Sequence, residues 1–482
     1  MPASFRHRLT AEKDPILERH TVRWIESEKE LYLDEHLAIN RAHATMLAEV
    51  GILTDAECRV ILDSLARIEH DAVGELVRRG DEEDLFSVIE GALIRICGVD
   101  IAGKLHTGRS RNDYYMTLAR LVIKRETEAL ITTISDLVAQ LLSSGERYAD
   151  QVFPGYTHNS QQAQPVSLGH FFLAHADAFT RDLERHRASL GRVDLSPMGA
   201  AALGGTDFPL DRHRMAELLG FAGIVENTQD AAGIRDFQLE TAGNIVTLMM
   251  NADRLVEALV MYATTEFGLI VIDDSLMGVS SIMPQKRNPV ALEYVETIAS
   301  KSLGAFVSAA ATLKSTTIGM SEEAISIDDT IVRMCLDARD AVSILTKIID
   351  GVRVDSHRVE EVLRAGFFTV TQLTDFLVAH EGFPFRVAHT VVALAVTHLT
   401  AENLDLSTSP GRERFIAMLR EEALTETGRV LASDDAALLR TLEPSETVLS
   451  RTIEGGPGVE RVREMTARRK QSLSAKGALA NS

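Results

Sequence analysis

Proline breaks a helix anywhere but in its first turn, and this chain of 482 residues carries only twelve prolines. None lies between Pro15 and Pro154, between Pro209 and Pro284, or between Pro289 and Pro384. Within the first gap, in the stretch after residue 113, Leu130, Ile131, Ile134, Leu137, Val138, Leu141 and Leu142 follow a 3-4-3-4 spacing, with Lys, Arg, Glu and Asp on the other face. Ile245, Leu248, Met249, Ala252, Leu255, Val256, Leu259, Val260 and Ala263 repeat that spacing in the second. This is the period of amphipathic helices, and no alternating strand-like segment accompanies it. Helices of about thirty residues are about 45 Å long, so the expectation is an all-α chain of extended helical bundles. Rods of that length leave apolar stripes that bury against other copies, so an oligomer is expected.

Punctuation suggests three helical parts: 1–113, a central bundle over 114–365, and 366–482, ending in a basic tail after about 467. The balance of 50 Lys and Arg against 70 Asp and Glu gives a net charge of −20. That disfavours nucleic acid and anionic membrane surfaces, which need a basic face. An anionic small molecule remains possible if a local cluster of donors meets it. Cys58, Cys97 and Cys335 are too few and too scattered for a disulfide framework or a metal site. No apolar run approaches a membrane span and the opening "MPASFRHRLT" lacks a signal-peptide core, so a reducing cytoplasm is the expected location. "GVDIAGKL" (98–105) has the spacing of a phosphate loop, yet Leu105 stands where a Ser or Thr is needed. "HRVEE" (357–361) and the scattered histidines do not form a metal-binding pattern; neither metal nor cofactor is expected.

Three segments break the helical pattern with polar residues that packing does not require. "KLHTGRSRND" (104–113) holds Thr107, Ser110, Arg111 and Asn112. "GYTHNSQQAQP" (155–165) holds Thr157 and His158, and "GVSSIMPQKRNP" (278–289) holds Ser280, Ser281, Lys286 and Asn288. Hydroxyls, amides, an Arg fork and a Lys point charge are donors suited to carboxylates. Loops and helix ends are where such donors converge.

At these loops the chain resembles the aspartase/fumarase superfamily, whose signature loop reads Gly-Ser-Ser-x-Met-Pro-x-Lys-x-Asn-Pro. It is most similar to the argininosuccinate lyase branch, through "IAGKLHTGRSRND", "GAAALGGTDFPLDRHRMAELLGF", "EFGLIVIDD" and "TVTQLTDFLVAHEGFPFRVAH", over roughly residues 80 to 395. The resemblance implies three mainly helical domains, a homotetramer built on a central helical bundle, and composite active sites drawing their loops from three subunits. It implies a carbon–nitrogen lyase that reversibly eliminates an amine from an N-substituted aspartate to give fumarate. Carried over residue by residue, Ser280 is the general base, its alkoxide held by Lys286 or by backbone N–H groups of its loop. Lys286, Asn288 and Ser281 grip the carboxylate beside the departing proton. Ser110, Arg111, Asn112 and Thr157 bind the fumarate portion. His158, with Glu293 as charge partner, protonates the amine or orders the site. Val279 replaces the usual glycine before the serines, and one extra residue between His158 and Gln164 leaves Gln161 and Gln162 without an assigned role.

The amine end departs further. Phe86 and Ile89 align with a His and an Asn of argininosuccinate lyases, Tyr114-Tyr115 replace Gln-Val, and "IGMSEEAISIDD" (318–329) replaces a Tyr-Asn-Lys-Asp-Met-Gln stretch. A guanidinium buried without partners costs several kcal/mol. This disfavours arginine as the leaving amine. Relatives with a kept fumarate end and a changed amine end include ethylenediamine-N,N'-disuccinate lyases and nitrosuccinate lyases. The resemblance favours the first, with argininosuccinate lyase as the main alternative and an inactive structural homologue as a remote one. Glu322 and Glu323 are candidates to pair with a cationic diamine.

Overall fold

The computed structural model describes residues 11–78, 82–319 and 321–480. Its architecture is all-α, as the proline spacing predicts. The longest helices are α1 (Pro15–Glu49), α4 (Arg111–Arg147) and α8 (Glu322–Gly351), of 35, 37 and 30 residues. Between α1 and α4 lie α2 (Asp55–His70) and α3 (Leu85–Cys97). The middle of the chain carries α5 (Leu168–Val193), α6 (Asp236–Ala263) and α7 (Val290–Leu313). After α8 come α9 (Ser356–Ala365), α10 (Val370–Glu381), α11 (Phe385–Ala401), α12 (Ser409–Thr427) and α13 (Val459–Ala480). Among the described residues no single helix is long and apolar enough to cross a membrane.

Local chemistry sets the helix ends. Asp14 caps α1 with Pro15 in its first turn, and Thr54 and Glu57 form a reciprocal capping box on α2. Each cap satisfies backbone donors that the first turn leaves open. Asp84 caps α3 by accepting from the Ser87 N–H at 2.8 Å, and Ser87 Oγ accepts in return from the Asp84 N–H at 3.2 Å.

The chain forms two compact units, each assembled from three stretches. One comprises Met1–Ile131, Glu184–Val246 and Lys301–Ala338. Its core joins Leu37, Met46 and Leu47 of α1 with Ile61 and Leu65 of α2, Phe86, Val88 and Ile89 of α3, and Tyr114 and Tyr115 of α4. Burying each such side chain contributes about 1.5–3 kcal/mol, so this part rests on a continuous apolar interior. The other unit comprises Thr132–Leu183, Thr247–Ser300 and Arg339–Ser482. One of its cores lies among α10, α11 and α12, around Leu373, Leu377, Val391, Leu399, Phe415 and Leu419. The sequence boundary at 113 falls in the first turn of α4, and 365 is the last residue of α9.

Strands correct the sequence reading: among the described residues there are four two-stranded pairs, and the longest is a hairpin. Residues Val152–Thr157 (β1) and Gln161–Ser167 (β2) form an antiparallel hairpin. Pro154, Gly155 and Pro165 hide it from a periodicity test, and a register shift between Pro154 and Tyr156 breaks its alternation. Gly155 is required at that bulge, because a Cβ there would sit 2.5 Å from the Gln164 carbonyl oxygen.

Candidate functional site

In the first unit, Ser110, Arg111 and Asn112 lie at the entry to α4, one residue before Asp113, which is fully buried. Ser110-x-x-Asp113 is a helix-start signature. The Ser110 N–H donates to Asp113 Oδ1 at 2.9 Å, and the Asn112 N–H donates to Ser110 Oγ at 3.3 Å. The second Asp113 oxygen accepts from the N–H groups of Gly199 and Ala201 at 3.0 and 2.8 Å. One carboxylate thus fastens the 104–113 loop to the "MGAAALGG" turn (198–205). Burial pushes it up to about 6, against the pull of those three N–H groups and of Arg109. Asn112 Nδ2 donates to the Ala202 carbonyl at 2.7 Å. Arg111 is paired through Nε with Asp84 at 2.8 Å and through Nη1 with Glu83 at 3.5 Å.

Phe86 and Ile89 are core residues here. Phe86 meets Tyr114 edge-on, with ring centroids 4.7 Å apart, and the buried Arg109 guanidinium lies 5.1 Å from its centre. The Tyr114 hydroxyl is held by His36 Nδ1 at 2.8 Å and by Asn40 Nδ2 at 3.1 Å, and Asn40 Oδ1 accepts from Arg109 at 2.9 Å. Met320 and the Glu322 side chain, within the 318–329 stretch, lie outside the described residues.

In the second unit Thr157 and His158 stand exposed at the tip of the hairpin. The connection His158-Asn159-Ser160 has φ of 45°, 56° and 70°. Left-handed backbone costs an L residue about 1–2 kcal/mol, and asparagine bears it best. Three in succession hold an unfavourable conformation on a solvent-facing turn, a pattern found where the chain must present side chains in a set geometry. Gln161 and Gln162 pair across the strands with Thr157 and Tyr156, and Gln162 Oε1 lies against Gly366.

The 278–289 loop, in the same unit, is the tip of a two-stranded ribbon, β3 (Gly278–Val279) and β4 (Arg287–Asn288). Gly278 is needed here, since a Cβ would lie 2.6 Å from Val290 Cγ1. Arg287, paired with Asp274, also donates to the Ile272 carbonyl at 3.3 Å and ties the ribbon down. The Ser280 hydroxyl oxygen accepts from two backbone N–H groups, Met283 at 3.0 Å and Ile282 at 3.3 Å. The Lys286 N–H closes the turn on the Met283 carbonyl at 3.1 Å, and its side chain is exposed. Ser281 is exposed, Asn288 half-buried, and Glu293 exposed in the first turn of α7.

The ten expected site residues therefore fall into three local groups. One is at the start of α4, one on the hairpin tip, and one along the ribbon and the start of α7. Sequence reasoning missed Asp113 and Asp84 as organisers. The Ser-x-x-Asp signature was a usable signal for the first, whereas the second depends on a partner 27 positions away.

Comparison with known proteins fixes the class. A lyase family model matches residues 7–304, and a model of the argininosuccinate lyase C-terminal region matches 367–426. An argininosuccinate lyase of Geobacillus thermodenitrificans is 36% identical over 446 residues, 92% of this chain and 93% of that protein. One of Methanothrix thermoacetophila is 34% identical over 90% of this chain and 86% of its own length. Among solved structures, EDDS lyase in complex with formate superposes with a TM-score of 0.84 at 28% identity, covering 98% of this chain and 93% of that one. A 3-carboxy-cis,cis-muconate lactonizing enzyme from Pseudomonas putida shares the fold at 18% identity and a TM-score of 0.72, over 94% and 97% of the two chains.

These matches define a carbon–nitrogen lyase. The chain belongs to the aspartase/fumarase superfamily, in its argininosuccinate lyase branch.

Proposed function

We propose that this lyase eliminates an amine from an N-substituted aspartate and releases fumarate. The observation that carries the proposal is the Ser280 oxygen facing two backbone N–H groups. A serine hydroxyl in water is far too weak an acid to serve as a base. A fixed donor at a developing oxyanion contributes about 3 kcal/mol, equivalent to roughly two pKa units. In a site closed to water, two such donors narrow the gap by up to about four units before Lys286 adds its charge.

In this reading the Ser280 alkoxide takes the proton from the carbon beside a carboxylate. The electron pair passes into that carboxylate, which becomes a dianion held by Lys286, Asn288 and Ser281. It then returns to form the double bond as the C–N bond breaks. His158, with Glu293 as its charge partner, supplies the proton that the departing nitrogen needs. Ser110, Asn112 and Thr157 hold the remaining carboxylate, and Arg111 adds its charge from beside Asp84.

His158 and Glu293 form no ion pair within one chain among the described residues. We assign that pairing, and the meeting of the three loops, to a homotetramer in which each site takes loops from three copies. Exposed apolar side chains on α6 and α7 support such an assembly. Met250 is 51%, Leu303 44% and Val307 58% exposed in the single chain. The three-part division at 113 and 365 and a cytoplasmic location belong to the same reading, with Cys58, Cys97 and Cys335 as free thiols.

For the amine we favour a diamine of the ethylenediamine-N,N'-disuccinate type. The likeness to EDDS lyase supports it, as does the burial of Phe86 and Ile89 where polar partners for a guanidinium were expected. Argininosuccinate is the second reading, supported by the names of the sequence relatives. The test is the ultraviolet absorbance of fumarate on incubation with argininosuccinate, ethylenediamine-disuccinate, aspartate and adenylosuccinate. Fumarate from one of the first two is expected. Silence on all four overturns the proposal, and rapid turnover of argininosuccinate overturns the diamine.

A further inference from the structure

Within the first unit a cavity of about 500 Å³ opens between α1, α4 and α8. Its walls are apolar, with Leu118, Ala119, Val122 and Ile123 on α4 facing Ile325 and Val332 on α8. The polar groups that reach it carry an excess of acid: Glu28, Glu323, Asp328 and Asp329, against Arg23 and His20. Two of those acids are already neutralised, Asp328 by Arg235 at 2.7 Å and Asp329 by Arg333 at 2.9 Å.

Glu28 is different. It is 3% exposed, and its Oε2 accepts from the Leu85 N–H at 2.8 Å. Its Oε1 has no hydrogen-bond partner, and neither have the Tyr115 hydroxyl, the Tyr32 hydroxyl or the Trp24 indole N–H around it. His36 Nε2 is 4.0 Å away, but burial drives that ring down to about 3, so it is neutral. Four buried polar groups without partners in one place are a cost that a fold does not normally carry. A ligand that meets them removes it.

The cavity lies beside the candidate fumarate-binding turn. Tyr115 is four residues after Arg111 and three after Asn112, which on a helix is the same face, one turn further on. Arg111 holds Asp84, the residue before Leu85, whose N–H is bound to Glu28. Gly319, close before α8, packs against Asn112.

We propose that this cavity receives the nitrogen substituent of the substrate, and that it selects a hydrocarbon chain ending in a single cationic or donor group, which meets Glu28. The inference rests on the reading of the chain as a lyase of N-substituted aspartates and narrows its diamine. The distal nitrogen of a monosuccinylated diamine fits such a site: CH₂ groups against Leu118, Val122 and Ile325, the ammonium at Glu28, whose carboxyl the cation's charge holds in its ionised form. A distal carboxylate is poorly suited to it, because it meets an apolar wall and further carboxylates.

The chain has one tryptophan, Trp24, and it lines this cavity, so its fluorescence reports occupancy without any turnover. Titration with n-pentylamine, 1-pentanol and pentanoate is expected to shift Trp24 emission most readily with the amine, at least tenfold more tightly than the alcohol, and not with the carboxylate. In Glu28→Gln the amine is expected to lose that advantage. In the fumarate assay N-(2-aminoethyl)aspartate is expected to show a kcat/KM at least tenfold above ethylenediamine-disuccinate. Equal affinity of the three probes in the unaltered protein, or a preference for pentanoate, overturns the inference, as does a faster disuccinate. Selective amine binding with no fumarate from any substrate supports the cavity and instead overturns the lyase reading.

Discussion

Gly169→Ala is the substitution for which general rule and local geometry give opposite signs. Replacing glycine by alanine inside a helix ordinarily stabilises by up to about 1 kcal/mol. At Gly169, in the first turn of α5, a Cβ would lie 2.4 Å from the Gly145 carbonyl oxygen and 2.9 Å from the Cα and N of Ala149. Ordinary contact begins at 3.4 Å, so α4 and α5 must separate by about 1 Å against backbone that has no rotamer to change. Overpacking of this kind costs about 1–3 kcal/mol, which against the helix gain leaves a net loss of about 1 kcal/mol. The start of α5 is also tied here to the segment between α4 and the hairpin, since the Leu168 and Gly169 N–H groups donate to the Gln151 and Tyr148 carbonyls at 2.8 Å each. Turnover is therefore expected to fall as the tip carrying Thr157 and His158 is displaced. Gly191, in the same helix, has no heavy atom within 4 Å of its would-be Cβ, and Gly191→Ala is expected to stabilise by about 0.5–1 kcal/mol. Urea unfolding of the two variants beside the parent, with fumarate release from the best substrate, measures both effects. A Gly169→Ala protein as stable as Gly191→Ala would refute the close helix crossing.

Ser160→Gly relieves one left-handed residue and is expected to raise unfolding stability by about 0.5–1 kcal/mol; a loss would place the strain elsewhere. Tyr114→Phe leaves His36 and Asn40 without their shared hydroxyl and is expected to cost about 2 kcal/mol in the same measurement. Burial, and secondarily Asp84, raise Glu28 from 4.5 to about 8, while the nearby Trp24 and Tyr115, though outside hydrogen-bonding geometry, and the Leu85 N–H oppose the shift. Because this folded-state pKa is raised, the group's contribution is complete below about pH 4.5 and is lost as pH rises through about 8. The difference in unfolding stability between parent and Glu28→Gln is expected to fall with rising pH across that window, by at most about 1.4 kcal/mol per pH unit; a difference that grows with pH contradicts it.

The long helices were legible because proline spacing and a 3.6-residue apolar period are properties of neighbouring letters. The β1–β2 hairpin was not, since its bulge at Gly155 and its prolines destroy the two-residue alternation by which strands are recognised. Ser280, Ser281, Lys286 and Asn288 could be read as a motif. The groups that bear on the Ser280 oxygen are backbone N–H groups of Ile282 and Met283, which every non-proline residue has and no letter marks. No motif in the sequence marks Glu28. Its burial depends on Leu85 and Tyr115, 57 and 87 positions away, which only the fold brings to it.

The proposed elimination depends on a serine oxygen made basic by the turn that holds it. The measurement is the kcat for fumarate release by Ser280→Ala, made on protein whose oligomeric state and unfolding midpoint match the parent. Loss of at least about a hundredfold is expected, the scale of general-base catalysis. Near-parental turnover in that folded variant would contradict the assignment.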